Sequence, residues 1–328
     1  MSSAGCEVSL KLSERELIER WRQSVPRARG RLRLGIGDDA ALYELDAERY
    51  GIFTTDMLVE DVHFRRAWTS AADLGWKSVA VNLSDIAAMG GVAELVLIAA
   101  ALPSAVPLDE ADAILRGAQE CAGAYGAQIA GGDTVRSSGP LVVSVAAFGE
   151  TPKGDVLRRD AAREGDRVAV TGSFGGAAAA LRMLERGERP PADLASRLHR
   201  PLPRLEEGQA LARAGVRCGI DCSDGLLRSL DLIAEASGVS IAVAEDAVPL
   251  DPSVRTKVGR DAALELALAG GDDYELVVAG DEATLRASGA RLTVIGEVIA
   301  GTSARVLLRD ASGMVRAAED AGYDAFRA

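Results

Sequence analysis

The chain has 328 residues, 48% of them hydrophobic and 4% aromatic, which corresponds to about two globular domains of roughly 150 residues each. Its formal net charge of −12 argues against a nucleic-acid partner, because phosphate backbones are bound by basic surfaces. The four cysteines form no Cys-x-x-Cys pair and only two histidines are present, so we expect no zinc site and a reduced, cytoplasmic protein.

Helical and strand patterns alternate over the first 150 residues. Ser13 followed by Glu16 is the signature of a capping box, with which a first helix begins. The apolar stretch 95–102 is too short to cross a bilayer, and residues 1–12 lack the apolar core of a signal peptide. A soluble protein without membrane contact is therefore expected. Helices are predicted over residues 14–23, 73–89 and 108–125, and strands over residues 51–55, 94–102, 128–130 and 141–148.

A polar, turn-rich segment at residues 151–166 marks a change in composition. It predicts a boundary near residue 150, between domains 1–150 and 151–328. The proline-bearing stretch 190–203 is interpreted as a connection. Strands are predicted over residues 167–170, 275–278, 292–295 and 305–308, and helices over an Ala-rich segment ending at residue 184 and over residues 224–237. This mixture predicts an α/β or α+β protein.

Many aspartates of this chain lie close to glycine or at the end of an apolar run. Carboxylates gathered at one end of a sheet repel each other unless a cation lies between them. Magnesium takes oxygen ligands and retains substrate phosphates among them, so the pattern favours a phosphate site with several magnesium ions. The aspartates concerned are Asp38, Asp39, Asp56, Asp85, Asp133, Asp221, Asp224, Asp272 and Asp273.

Local explanations of these residues stay open at this point. An aspartate beside a glycine is commonly a turn residue. Asp224 could be simply the N-cap of the helix that follows it, and Ser84 or Asp85 could also have a capping role. The loop 171–176 lies where backbone N–H groups can meet a phosphate, but it is equally consistent with a structural turn. The sequence contains neither a P-loop nor the protein-kinase motifs, and the two histidines lack the nucleophile motif of a Ser-His-Asp hydrolase.

Taken in order along the chain, a set of short motifs resembles the thiamine-monophosphate kinases. The motifs are residues 35–41 (GIGDDAA), 54–59 (TTDMLV), 63–64 (HF), 82–90 (NLSDIAAMG), 131–134 (GGDT), 170–172 (VTG), 221–226 (DCSDGL) and 270–276 (GGDDYEL). The resemblance extends from about residue 14 to residues 322–324, nearly the whole chain. It implies the fold shared with aminoimidazole ribonucleotide synthetase and selenophosphate synthetase. In that fold an N-terminal α/β domain dimerises through its sheet and is followed by an α+β C-terminal domain.

The resemblance also implies a reaction and the residues that perform it. ATP would phosphorylate thiamine monophosphate to thiamine diphosphate in a homodimer, with several magnesium ions (Mg2+) in the site. Magnesium ligands are implied at Asp39, Thr54, Thr55, Asp56, Asp85, Asp133, Asp221 and Asp224. ATP contacts are implied at Gly132, Asp133, Arg159 and Ser223, and substrate contacts at His63, Asp272 and Asp320. Two positions depart from the family, which usually has Glu in place of Asp272 and an aromatic residue that contacts the thiamine in place of Asp320.

The expected transfer needs no general base, because the acceptor is a phosphate monoester that is already anionic; no acid–base residue is therefore predicted. Two rival functions stay open. One is another ATP-dependent synthetase of the superfamily, such as one that makes selenophosphate, although Cys6 and Lys11 do not reproduce that family's reactive Cys with its nearby Lys. The other is a non-catalytic regulator that binds nucleotide or thiamine phosphate. Arg159 could also be a solvated side chain, and His63 an ordinary partly buried histidine.

Overall fold

The computed structural model describes residues 13–301, 305–318 and 322–323, and its strands form two mixed β-sheets. The first sheet contains β1 (Leu32–Leu34), β2 (Ala41–Glu44), β3 (Arg49–Val59), β4 (Val92–Pro103), β5 (Gln128–Ser137) and β6 (Val142–Pro152). Their order is β1-β2-β3-β6-β4-β5, and every neighbouring pair is antiparallel except β4 and β5. The helices of this half are α1 (Glu14–Ser24), α2 (Ala71–Ala88) and α3 (Leu108–Ala124).

One face of the first sheet is covered by α2, and the other face is open. In β3, Ile52 and Leu58 point to the covered face and are buried, whereas Phe53 and Met57 point the other way and are 45% and 54% exposed. This follows from the alternation of side chains along a strand. On its far side α2 packs closely on α3, where a Cβ atom at Gly75 would lie 1.9 Å from the carbonyl oxygen of Ile114.

The second sheet contains β7 (Arg167–Val170), β8 (Cys218–Asp221), β9 (Ser240–Ala244), β10 (Leu276–Gly280), β11 (Thr293–Ile299), β12 (Arg305–Arg309) and β13 (Val315–Ala317). Their order is β13-β12-β9-β11-β7-β10-β8, with β12 and β9 parallel and the other pairs antiparallel. The helices are α4 (Gly176–Glu185), α5 (Ala192–His199), α6 (Leu205–Ala214), α7 (Leu226–Ser237), α8 (Pro252–Val258), α9 (Arg260–Ala269) and α10 (Glu282–Ala287).

The two halves share an apolar core around α2. Leu83 of α2, Leu211 of α6 and Leu276 of β10 belong to one buried cluster. A Cβ atom at Gly208 of α6 would lie 2.2 Å from the carbonyl oxygen of Ala87, so a glycine is needed for this approach. Helix α2 is therefore fixed between the two sheets, and the candidate site lies along it.

The predicted mixture of helices and strands is confirmed, and α1 begins at the expected capping box of Ser13 and Glu16. The interpretation of residues 190–203 as a connection is wrong, because they contain α5, whose N-cap residue is Pro191. Within the described ranges, no helix combines the length and the hydropathy that a membrane span requires. The domain boundary near residue 150 stays a prediction. The elements that the sequence did not predict are β1, β2, β8, β9, β13, α5, α6, α8, α9 and α10.

Candidate active site

Three aspartates from different elements meet between the two sheets. Asp39 lies in the loop before β2, Asp85 on α2 and Asp221 at the end of β8, and one carboxylate oxygen of each lies within 4.8 Å of the other two. Burial raises the pKa of all three carboxyls, to about 8 at Asp221. We call these three residues the carboxylate cluster. Close burial of three acids is unfavourable unless protons or cations neutralise them.

Hydroxyl groups on both sides hold the cluster in place. The Thr54 hydroxyl of β3 donates a hydrogen bond to Asp85, and the Ser84 hydroxyl donates to Asp221 Oδ2 at 2.7 Å. Ser84 and Asp85 lie inside α2 rather than at its ends. The capping alternative is therefore wrong for both residues.

Arg159 joins the cluster from the segment between the two sheets. Its guanidinium donates to Asp39 Oδ1, its Nε lies 3.8 Å from Asp38 Oδ1, and its backbone N–H donates to Asp38 Oδ2 at 3.3 Å. Burial and the charge of Asp39 raise the pKa of Asp38 to about 7. Arg159 is thus a mostly buried, ion-paired side chain and not a solvated one. Among the described residues, Asp39 Oδ2 and Arg159 Nε are buried without a hydrogen-bond partner.

The donor set of the cluster fits magnesium. It consists of carboxylate and hydroxyl oxygens, which a hard divalent cation prefers, and it has no sulfur or imidazole ligand. Asp39 Oδ2 is a buried acceptor that lacks a donor, and such an atom is satisfied by a bound cation. The raised pKa values are the expected property of carboxyls whose counter-charge is a ligand.

Asp56 lies beside the cluster, in the middle of β3 and not at a turn. The strand is paired with β6 over its whole length, with Asp56 opposite Val145. The backbone N–H of Asp56 donates to Asn82 Oδ1 of α2 at 3.0 Å, and burial together with the Asp39 charge raises the pKa of Asp56 to about 6. Thr55 points the other way, and its hydroxyl donates to the Val145 carbonyl at 3.0 Å.

Gly132 and Asp133 lie away from the cluster. They belong to β5, the edge strand, which is separated from β3 by β6 and β4; at about 4.8 Å per strand this is a distance of ~14 Å. Asp133 pairs with Ala99, in the row of the sheet that contains Met57, and it is exposed on the open face. The structure therefore does not bring Gly132 or Asp133 to the cluster of the same chain.

Two loops of the second half form the other side of the site. The backbone N–H of Asp272 donates to the Ser223 carbonyl at 2.6 Å, which joins the loop before β10 to the loop after β8. Gly271 permits this approach, because a Cβ atom there would lie 2.6 Å from the same carbonyl. Asp224 lies in the second loop, and burial raises its pKa to about 6. The N-cap residue of α7 is Gly225, so the capping alternative for Asp224 is wrong.

Two side chains that the sequence patterns do not predict bind Asp272. Lys77 Nζ donates to Asp272 Oδ2 at 2.8 Å, and the Tyr274 hydroxyl donates to Asp272 Oδ1 at 3.0 Å. Both histidines lie near this group: burial lowers the pKa of His63 and of His199, and the charges of Lys77 and Asp272 act on both. His63 Nδ1 also accepts from the Val59 N–H at 3.1 Å. A usable signal for Lys77 was a lysine between the apolar residues Trp76 and Val79 of the predicted helix.

Other residues of the 270–276 motif have structural contacts. Asp273 accepts the Gly175 N–H at 2.9 Å at the start of α4, so it does not join the cluster, and this favours a structural turn at residues 171–176. Glu275 is buried and binds the Thr171 hydroxyl at 2.6 Å and Arg204 Nε at 2.6 Å. Asp320 lies outside the described residues.

Comparison with known proteins identifies the family of the chain. Residues 37–151 match the family AIR synthase related protein, N-terminal domain, and residues 163–309 match AIR synthase related protein, C-terminal domain. The thiamine-monophosphate kinase of Bacillus subtilis (strain 168) is 38% identical over 90% of this chain and 94% of its own length. That of Escherichia coli (strain K12) is 35% identical over 95% and 98%. The chain belongs to the thiamine-monophosphate kinase family.

Solved thiamine-monophosphate kinase structures have the same fold. A structure of AaThiL complexed with AMPPCP and TMP has a TM-score of 0.85 and 29% identity, over 95% of this chain and 97% of that one. Thiamine-monophosphate kinase from Stenotrophomonas maltophilia K279a has a TM-score of 0.73 and 36% identity, over 91% and 96%. Hydrogenase maturation protein HypE, at 21% identity, shares the fold alone. The predicted family and fold are confirmed, as is the prediction of a thiamine-phosphate kinase.

The structure divides the residues implied by the family resemblance into three groups. Near the cluster lie Asp39, Thr54, Asp56, Asp85, Asp221 and Arg159, and across the site lie Ser223, Asp224, Asp272 and His63. Gly132 and Asp133 lie on the edge strand, and Thr55 turns its hydroxyl toward β6. The family-implied residues near the cluster and across the site therefore come from both halves of the chain, which meet along α2.

Proposed function

We propose that this protein phosphorylates thiamine monophosphate with ATP by direct in-line transfer, giving ADP and thiamine diphosphate. The observation that carries the proposal is the convergence of Asp39, Asp85 and Asp221 within 4.8 Å in a chain of this family. The relative AaThiL is complexed with AMPPCP and TMP, which supports both proposed substrates. ATP is thus a co-substrate.

Magnesium ions would be held by the cluster and by the residues around it. Asp39, Asp85 and Asp221 supply the central oxygens, and Asp56, Asp224 and Thr54 are the further proposed ligands. Thr55 stays a prediction, because its hydroxyl lies on the opposite face of β3 and donates to the Val145 carbonyl. When bound there, magnesium supplies positive charge that offsets the repulsion between two anionic reactants. The chain's own contribution is position: Ser84 and Thr54 orient two carboxylates by hydrogen bonds, as groups around metal ligands commonly do.

The remaining proposed contacts lie around the cluster. Arg159 fixes Asp39 and is the proposed bidentate contact for ATP phosphates, with Ser223 as a second ATP contact. On the opposite side His63 and Asp272 are the proposed contacts of thiamine monophosphate. The acceptor phosphate is anionic, so no side chain is assigned the role of general base. Asp320 stays a prediction.

We also propose that the protein acts as a homodimer joined through the open face of the first sheet. The exposed apolar side chains Phe53, Met57, Leu97 and Val135 lie on this face, and a second copy would bury them. Asp133 lies in the same face, far from its own cluster. Its predicted roles in magnesium and ATP binding, together with those of Gly132, are therefore proposed to act in the site of the partner copy.

Domain roles and location complete the proposal. Residues 1–150 form the domain for ATP, magnesium and dimerisation, and residues 151–328 form the C-terminal α+β domain. A cytoplasmic location is supported by Cys121, Cys218 and Cys222, which are buried free thiols, since disulfides are rare in the cytosol. The negative charge supports the absence of a nucleic-acid partner, and no membrane partner is proposed.

The experiment is to measure ADP release and thiamine diphosphate formation by the purified protein with ATP, magnesium and thiamine monophosphate. Equal amounts of both products are expected. Binding of both substrates without turnover would instead support the non-catalytic regulator. ATP consumption that requires selenide and not thiamine monophosphate would support the synthetase.

A further inference from the structure

Lys77 is a buried lysine at the substrate side of the site. Its side chain is 3% exposed, and its ammonium group forms an ion pair with Asp272 at 2.8 Å. We propose that Lys77 is a positioning residue, which holds Asp272 in the orientation that binds the cationic thiamine part of the substrate. This inference rests on the proposed function, in particular on Asp272 as a substrate contact.

Asp272 is held at the backbone and at both carboxylate oxygens. Its φ of 69° is a left-handed conformation that costs a non-glycine residue free energy, and its N–H is bound to the Ser223 carbonyl at 2.6 Å. Lys77 and Tyr274 each donate to a different carboxylate oxygen. A short side chain whose two carboxylate oxygens each accept a hydrogen bond is held in one orientation. Lys77 is the charged donor that fixes this orientation.

The carboxylate still has capacity for a ligand. An ionised carboxylate accepts about four hydrogen bonds, and the described contacts of its oxygens occupy two of them. The Asp272 side chain is 30% exposed, so the remaining acceptor positions are open to solvent. Thiamine monophosphate presents a positively charged thiazolium ring and an amino group on its pyrimidine. Both are partners for a fixed carboxylate.

Packing alone does not account for a lysine at this position. Lys77 is surrounded on α2 by buried residues that include Leu74, Trp76 and Val81, where an apolar residue would fit the helix. A buried ion pair is on average no more stabilising than an apolar pair of similar size. The ion pair also crosses between the two halves of the chain, since it joins α2 to the loop before β10. Its specific effect is therefore on where the Asp272 carboxylate lies.

The test compares Lys77→Met with wild type under steady-state conditions. Loss of a charged hydrogen bond corresponds to about a ten- to hundredfold change in binding. We expect the KM for thiamine monophosphate to rise by about that factor, with the KM for ATP unchanged and kcat altered by less than about threefold. Lys153→Met is the matched control, because Lys153 is also ion-paired but binds Glu44 at the end of β2 in the first sheet.

A double-mutant cycle distinguishes positioning from a general structural effect. If Lys77 acts through Asp272, Lys77→Met should add nothing to the KM of Asp272→Asn. Additive increases in the double variant would overturn the proposal. Lys77→Arg keeps the charge and moves the donor, so it should show a smaller rise in the same KM; this variant decides the matter if Lys77→Met does not fold. An unchanged KM in a folded Lys77 variant would also overturn it.

The outcome is separable from that of the proposed function. If wild-type protein forms no thiamine diphosphate, the proposed function fails and the binding of thiamine monophosphate, measured by calorimetry, replaces KM in the cycle. If wild type is active and the Lys77 variants bind and react like it, only the role of Lys77 fails.

Discussion

The Ser84 hydroxyl of α2 donates a hydrogen bond to Asp221 Oδ2 of β8 at 2.7 Å, with both residues buried. This contact joins the helix that covers the first sheet to an edge strand of the second. The next residue, Asp85, contributes its own carboxylate to the cluster. Two adjacent residues of one helix therefore set the positions of two acids from separate halves of the chain. The site exists only while the halves are packed together.

Replacing Ser84 with Ala is expected to weaken magnesium binding. The Asp221 carboxylate would lose its donor, and loss of such a contact around a metal ligand costs about 10- to 100-fold in metal affinity or activity. The measurement is the magnesium concentration that gives half-maximal phosphorylation of thiamine monophosphate. Ser78→Ala is the control, because Ser78 is buried on the same helix but donates only to the Gly75 carbonyl at 2.9 Å. Equal magnesium dependence in the two variants would contradict the role of Ser84.

The Asp56→Asn variant should have opposite effects on activity and stability. Turnover should fall by orders of magnitude, because a proposed magnesium ligand is lost. The metal-free protein should unfold at a higher temperature, since a carboxyl whose pKa is raised to about 6 by burial and by Asp39 is replaced by a neutral amide. Thermal unfolding without magnesium and initial rates at saturating magnesium measure the two effects. Asp61→Asn, at an exposed residue of the following turn, should change neither; wild-type rates in Asp56→Asn would exclude this residue as a ligand.

The cluster should make the stability of the metal-free protein depend on pH. Burial raises the pKa of Asp221 to about 8 and that of Asp56 to about 6, whereas an unfolded aspartate titrates near 3.8. Between these values the folded state binds more protons than the unfolded state. The free energy of unfolding therefore falls as pH rises from about 4 to about 8. Denaturant titrations at several pH values without magnesium should show this fall in the free energy of unfolding. Added magnesium should restore the free energy of unfolding at pH 8. A free energy of unfolding that rises from pH 4 to pH 8 without magnesium would contradict the prediction.

Sequence patterns predicted more of the chemistry than of the placement. The aspartates of the cluster could be named because an acid next to glycine or at the end of an apolar run recurs along the chain. Their convergence could not be derived, since Asp39, Asp85 and Asp221 come from a loop, a helix and a strand. Asp56 and Asp133 were expected at turns. Both lie inside long strands, because pairing with β6 and β4 extends the strands beyond their apolar runs.

Residues that act through long-range contacts were the hardest to predict. Lys77 is 195 positions from Asp272 in sequence, and no local pattern connects them. The α5 helix was missed because the prolines around it resemble a connection, and Pro191 in fact precedes its first turn. The Lys77 contact depends on the packing of the two halves, and α5 is stabilised by the burial of Leu194 and Leu198 against α4; local periodicity carries little information about either.

Replacing Gly172 with Ala is expected to destabilise the protein strongly. Gly172 has a φ of +48°, and a Cβ atom would lie 1.9 Å from Glu275 Oε1, which is buried. The left-handed backbone costs alanine about 1 kcal/mol, and moving Glu275 from Arg204 and Thr171 should add a further ~2 kcal/mol. Gly187→Ala is the control, with a φ of +73° and open space around the added Cβ. Urea unfolding should show a clearly larger loss for Gly172→Ala, and equal losses would contradict the packing of Glu275 against this loop.

The proposed dimer predicts that two inactive variants can restore activity together. Asp56→Asn and Asp133→Asn should each be inactive, and each should form dimers. If Asp133 acts in the site of the partner copy, a mixed dimer holds one site with both wild-type aspartates. An equimolar mixture, unfolded and refolded together, should then recover about a quarter of wild-type activity, because about half of the dimers are mixed and each has one intact site. No recovery in a mixture shown by mass spectrometry to contain mixed dimers would place Asp133 outside the partner's site.

Met57→Glu, on the exposed face of the first sheet, should convert the dimer to a monomer in size-exclusion chromatography. Leu108→Glu is the control and should leave the dimer intact, because Leu108 is an exposed residue of α3. The Met57→Glu monomer should also be inactive, because it lacks the partner's Asp133.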